Sequence, residues 1–263
     1  MSNWPQRIIC LTEETTESLY LMGEQHRIAG ISGFTVRPPE ARREKPKVSA
    51  FTSAKIDKIL ALQPDLVLAF SDMQADIVAQ LVRAGIQVHV FNQRSVAGIL
   101  QMIRTLGGLI GEPEKAERLV KDCEQSLDVI RERASQLERR PRVYFEEWND
   151  PLISGIGWVS ELISIAGGED CFAELASASL ARNRIIDPPE KVIEKAPDII
   201  IGSWCGKKFR PEQVSNRSGW MVIPAVKHNA LYEIKSAEIL QPGPAALIDG
   251  VTKMHEIISQ WTA

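Results

Sequence analysis

The chain has 263 residues, 44% of them hydrophobic and 25% charged, with a formal net charge of −3. That length permits one large domain or two smaller ones with a sizeable core. The slight negative charge argues against a nucleic-acid partner, which needs a concentrated basic footprint. No apolar run approaches the roughly 20 residues that cross a bilayer.

The start, MSNWPQRIICLTEETTE, lacks both a charged leader and a long apolar stretch. Four cysteines, Cys10, Cys123, Cys171 and Cys205, are widely spaced with no CxxC pair. Both features predict a cytoplasmic chain with reduced, mostly buried thiols, or a periplasmic one if a leader has been removed.

In chain order, short apolar runs alternate with helical patterns. Residues 7–11 read as a strand, 16–23 as a helix start and 26–31 as a second strand. Residues 55–62 read as a helix stopped before Pro64, and 65–70 as a fully buried strand. Residues 75–84 form a helix closed at Gly85, and 88–91 a further strand. This alternation predicts an α/β lobe with a mainly parallel sheet.

Residues 112–140 break the alternation. Ala116, Leu119, Val120, Cys123, Leu127, Ile130, Ala134 and Leu137 recur at spacings of three and four. They predict one amphipathic helix, opened by Pro113 and stopped before Pro141, about 40 Å long. Alternation then resumes, with strands at 142–146 and 198–202 and helices at 159–166 and 189–195. Residues 56–70 (IDKILALQPDLVLAF) echo 189–203 (PEKVIEKAPDIIIGS), a short helix, a Pro-Asp turn and a strand in each. The expected organisation is an N-terminal lobe over 1–111, a connecting helix over 112–141 and a C-terminal lobe over 142–263. The expected fold is therefore α/β, two Rossmann-like lobes joined by a single long rigid helix with the ligand cleft between them.

No nucleophile elbow, Walker loop, zincin motif or dinucleotide fingerprint is present. His26, His89, His228 and His255 match no metal-ligand spacing. The acids from Glu13 to Glu17 fit a helix cap favoured by the dipole, or Thr12 and Glu14 line a site above the strand ends. Phe51, Phe70 and Phe91 fall at strand or loop ends, where open α/β sheets place ligands, and Phe34 precedes Arg37-Pro38-Pro39. Trp148, Trp158, Trp204 and Trp220 are placed in or beside loops. Each aromatic alone fits a core; together they suit an apolar cleft for a large, flat ligand.

The segments 5–23, 30–41, 55–70, 81–91, 150–172 and 241–251 together resemble periplasmic binding proteins for cobalamin and ferric siderophores, in order along nearly the whole chain. The resemblance implies two lobes joined by one long helix that limits closure. It implies a monomer with no catalysis and no intrinsic cofactor, delivering a corrinoid or other metal chelate to an ABC transporter permease. Phe51 and Phe70 match aromatic positions that face the corrin. Arg37 stands where a tyrosine precedes Pro-Pro, Arg184 where a second aromatic is expected, and Trp204 where a small residue is common. The implied pocket is aromatic but more basic, with Arg37 and Arg184 pairing with ligand carboxylates or phosphates, or lying on the surface with salt-bridge partners. Asp57 and Glu190 match the acids that dock the transporter. Two readings stay beside the receptor: a cytoplasmic protein that holds or senses a corrinoid, and a chelatase-like enzyme using Glu14, Glu147 and His228. Whether Cys205 ligates a metal is open.

Overall fold

A computed structural model describes residues 3–262; Met1 and Ser2, part of the start on which the leader question turns, lie outside them. The chain divides into two compact units. The first holds residues up to Gln93 and Ala97–Asp122, and the second holds Arg94–Val96 and Cys123 onward.

The first unit is built on strands β1 (Ile8–Cys10), β2 (Ile28–Ser32), β3 (Lys47–Ser49), β4 (Leu66–Phe70) and β5 (Val88–Phe91). They pair in the order β3-β2-β1-β4-β5, every pair parallel. Between them run helices α1 (Glu13–Leu21), α2 (Pro39–Glu44), α3 (Ile56–Ala61) and α4 (Ala75–Arg83). The continuous apolar run of β4 is buried at all five residues, as a strand covered on both faces requires. After β3 the chain returns past β1 to build β4 and β5 on the other side. The order therefore reverses beside β1, which opens a crevice at the carboxyl ends of β1 and β4.

Three local expectations are corrected. Helix α1 starts at Glu13, not Thr16, so two acids occupy its first turn, where the helix dipole favours them. Residues 25–27 form a 3-10 turn before β2, with the Arg27 guanidinium drawn to Glu24 at 2.5 Å. Helix α5 (Val96–Ile110) was not anticipated. Its face of Val96, Ile99, Met102, Ile103, Leu106 and Ile110 is buried. Gly107 and Gly108 interrupt the apolar pattern, and Gly107 has a packing reason. A Cβ there would stand 2.3 Å from the Cβ of Ala116, so its absence lets α5 and the next helix approach.

That next helix, α6 (Pro113–Ser135), has 23 residues, about 35 Å, shorter than expected. Gln136 and Leu137 donate to carbonyls three residues back, which tightens the last turn. Its first part belongs to one unit and the part from Cys123 to the other.

The second unit contains β6 (Arg142–Asn149), β7 (Leu152–Ser154), α7 (Gly157–Ile165), β8 (Glu169–Asp170), α8 (Ala173–Ala176), α9 (Glu190–Lys195) and β9 (Ile199–Gly202). It continues with α10 (Pro211–Ser215), α11 (Pro224–Lys227), β10 (Leu231–Glu233), α12 (Ser236–Ile239) and α13 (Val251–Thr262). Its sheet order is β10-β9-β6-β7, with β8 beside β6 and only β7 antiparallel. Strand β6 runs three residues past the expected Glu146, because Trp148 and Asn149 pair with Ile153 and Leu152.

The echoed segments perform the same task in both units. Asp65 accepts the backbone N–H of Gln6 at 2.6 Å and of Arg7 at 3.0 Å, at the start of β1. Asp198 accepts the N–H of Arg142 at 2.9 Å, at the start of β6. The Arg7 guanidinium donates to the carbonyl of Leu62 at 2.9 Å, just after α3. The Arg142 guanidinium donates to the carbonyl of Lys195 at 3.1 Å, at the end of α9. Each helix leaves through a left-handed residue, Gln63 (φ 48) and Ala196 (φ 44). The two units thus share one helix–turn–strand device.

Candidate functional site

In the first unit, the carboxyl ends of the strands gather most of the expected residues. Phe70 ends β4, Phe51 follows β3, and Phe34, 54% exposed, follows β2. Gln74, fully buried, holds this edge together. Its carbonyl accepts the N–H of Phe70 at 2.9 Å, and its amide donates to the carbonyls of Phe51 at 2.8 Å and Leu11 at 3.3 Å. A buried amide whose oxygen and both N–H groups have partners fixes three loops that would otherwise drift. The sequence offered no signal for Gln74, because its partners lie far along the chain.

Beside these aromatics, the first turns of α1 bury Glu13, Glu14 and Glu17. Thr12 donates its hydroxyl to Glu14 at 2.7 Å, and the amide of Val36 reaches Glu13 at 3.4 Å. Burial pushes the carboxyls of Glu13 and Glu14 up to about 7, with the neighbouring acids adding to the effect. Arg37 is held by Glu17 at 2.7 Å. Thr12 makes no side-chain cap bond to the helix backbone; its hydroxyl serves Glu14.

In the second unit, the last half of β6 carries Glu146, Glu147 and Trp148, each at the centre of a contact set. Glu146 is completely buried and accepts two bonds from Arg217, at 2.5 and 2.8 Å, and the indole N–H of Trp204 at 2.9 Å. Glu147 takes a two-pronged pair from Arg184 at 2.7 and 3.1 Å, and Arg184 also donates to the Ser154 carbonyl. Arg184 is only 2% exposed. It is not the surface arginine that one sequence reading allowed; its charge is neutralised by the acid next to Glu146. The Nε–H of Arg184 has no partner among the described residues.

Trp148 and Trp204 are bridged by Lys207, whose ammonium stands 4.0 Å over one ring and 5.1 Å over the other. Under them, Gly202 ends β9 where a Cβ would fall 1.9 Å from the Phe209 ring. Phe209 in turn meets Trp204 edge-on, centroids 5.1 Å apart.

Two expected site aromatics lie elsewhere. Trp158 is the second residue of α7; it is 3% exposed and donates to the Ile239 carbonyl at 2.9 Å. Trp220 is in a 3-10 turn, 2% exposed, packed against Tyr144 and under the Arg217 guanidinium. Both fill the interior, because β-α-β spacing alone does not say which side of a helix is covered. Asp57 and Glu190 are exposed in the first turns of α3 and α9, at the same offset before Asp65 and Asp198.

Cys10, Cys123 and Cys171 are buried, whereas Cys205 is exposed, against the expectation of burial. Burial raises the thiols of Cys10 and Cys171 to about 12, which keeps them from acting as thiolates. His255 is buried on the Ala166 carbonyl at 2.9 Å, and His89 packs on Phe91. No helix among the described residues is long and apolar enough to cross a membrane.

A family model described as periplasmic binding protein matches residues 8–238. The chain is 27% identical over 263 residues to an uncharacterised ABC transporter substrate-binding lipoprotein of Bacillus subtilis, covering 97% of this chain and 80% of that one. It is 27% identical over 255 residues to a vitamin B12-binding protein of Vibrio parahaemolyticus, covering 94% and 88%. Among solved structures, the periplasmic haem-binding protein of a Roseiflexus species, in its apo form, matches with a TM-score of 0.82 and 22% identity over 96% and 99% of the two chains. At that identity the likeness is one of fold.

Proposed function

The chain belongs to the periplasmic binding protein family, and from that membership we propose that it is the solute-binding component of an ABC transporter for a corrinoid or closely related metal chelate, with no catalysis of its own. The observation that carries the reading is the aromatic array. Phe34 and Phe51 in one unit and Trp148 in the other stand partly exposed at the carboxyl ends of strands, beside Phe70 and Trp204, which are 5% and 3% exposed. Broad aromatic faces suit a flat macrocycle with few polar anchors. Relatives named for vitamin B12 support the corrinoid.

A haem-type ligand is the second reading. It is favoured by the lysines near Trp204 and by a neighbour named for haem. Calorimetric titration with cyanocobalamin, haem and a ferric siderophore separates the two. We expect a Kd of about 1 μM or tighter for cyanocobalamin, roughly −8 kcal/mol. Heat from haem alone would move the assignment to the second reading, and no heat with any chelate would sink the receptor reading.

A further inference from the structure

The second unit carries a cavity of about 480 Å³, lined by Trp204, Lys207, Lys208, Glu233, Lys235 and the short helix start at Ser236. It lies at the carboxyl ends of β9 and β10, which are adjacent and parallel, Gly202 facing Glu233. Three lysines thus line one hollow in a chain whose overall charge is −3. The single carboxylate in the lining, Glu233, is already engaged, accepting the N–H of Phe209 at 3.0 Å. Lys207 is also committed, to the Asn149 side chain and the face of Trp148. The ammonium groups of Lys208 and Lys235 make no hydrogen bond or ion pair among the described residues.

Like charges facing one hollow repel one another, and a bound anion relieves that repulsion. The volume exceeds what a bare phosphate or carboxylate fills and falls in the range of small-ligand sites. Trp204 supplies an apolar wall beside the charges. We propose that this pocket binds the phosphate or carboxylate of an organic anion, Lys208 and Lys235 meeting the charge and Trp204 the body of the molecule. Tied to the receptor reading, on which this extension rests, the group is the phosphodiester of a complete corrinoid or the propionates of haem.

The test has an arm that does not depend on the chelate. Inorganic pyrophosphate is titrated into ¹⁵N-labelled protein, wild type and Lys208→Gln/Lys235→Gln. We expect saturable shifts of the amides of residues 206–208 and 235–237, lost in the double variant. Shifts absent, or spread evenly over other surface lysines, would overturn the pocket.

Calorimetry then compares cyanocobalamin, cobinamide (which lacks the nucleotide phosphate) and haem. Charge-assisted contacts predict a tenfold or greater weakening in the double variant for the ligand whose anion is used. A cyanocobalamin advantage over cobinamide that the variant abolishes names the phosphate. A haem affinity that the variant abolishes names the carboxylate. A chelate that binds both proteins equally overturns the inference and leaves the receptor reading standing. Pyrophosphate shifts without any chelate binding keep the pocket and remove the receptor reading.

Discussion

At the scale of single residues, the buried acids of α1 set a pH dependence. The carboxyls of Glu13 and Glu14 are raised from 4.5 to about 7 in the folded protein. A raised carboxyl pKa means that the folded state holds its proton more tightly than the unfolded chain. The associated stability is complete below about pH 4.5 and is lost as pH rises through about 7. Each group is worth on the order of 3 kcal/mol across that window. Thermal melts from pH 5 to pH 8 are expected to show falling stability. Glu14→Gln keeps an acceptor for the Thr12 hydroxyl and removes the titration, so its slope is expected to be flatter than that of the wild type. Parallel slopes would refute the assignment. Glu146 differs, because it is met by Arg217 and Trp204. Glu146→Ala leaves Arg217 largely buried without its counter-charge and is expected to cost about 3–5 kcal/mol in urea unfolding.

At the scale of elements, the repeated helix–turn–strand device assigns each Asp the same work. Asp65 and Asp198 tie the start of a central strand to the strand that follows the echoed helix. Asp198 lies more deeply, at 19% side-chain exposure, and also takes the Arg142 guanidinium at 3.3 Å. Asp198→Ala is therefore expected to cost about 2 kcal/mol and Asp65→Ala about 1. Each loss should appear locally. Hydrogen exchange should quicken at the amides of Val143–Phe145 for the first variant and at Ile8–Cys10 for the second, with the other unit unchanged. The echo was legible in the sequence because helix, Pro-Asp and strand lie within one short stretch. Its hydrogen bonds were not, because Arg7 and Arg142 stand far from their partners in the chain.

At the scale of the whole molecule, the proposed role as a transporter's solute-binding component entails recognition by a membrane partner. Asp57 and Glu190 are exposed at the starts of the two equivalent helices, where short-range hydrogen bonds among the described residues do not consume them. We expect the double charge reversal Asp57→Lys/Glu190→Lys to leave chelate affinity within twofold while abolishing uptake in cells that depend on the transporter. Uptake equal to wild type would remove these acids from the docking surface. The site's scaffold was similarly half legible. Phe51 and Phe70 were placed correctly at strand ends, since a strand's end follows from its apolar run. Trp158 and Trp220, grouped with the cleft aromatics because they lie in or beside loops, are interior residues of helical turns.

The α/β alternation, the buried strands, the long helix opened by Pro113 and the likeness of the two halves are all written in the amino-acid order. All of these are local patterns, written in the spacing of apolar residues and in Pro and Gly. Only the tertiary structure decided which charges are satisfied and which are exposed. It closed Glu147 onto Arg184, 37 residues away, and Glu146 onto Arg217, 71 residues away. It also brought Lys208 and Lys235, from the segments that follow two different strands, to one hollow beside Trp204. Pairing of that kind depends on which strands become neighbours, and strand order is a property of the folded sheet that no single segment carries.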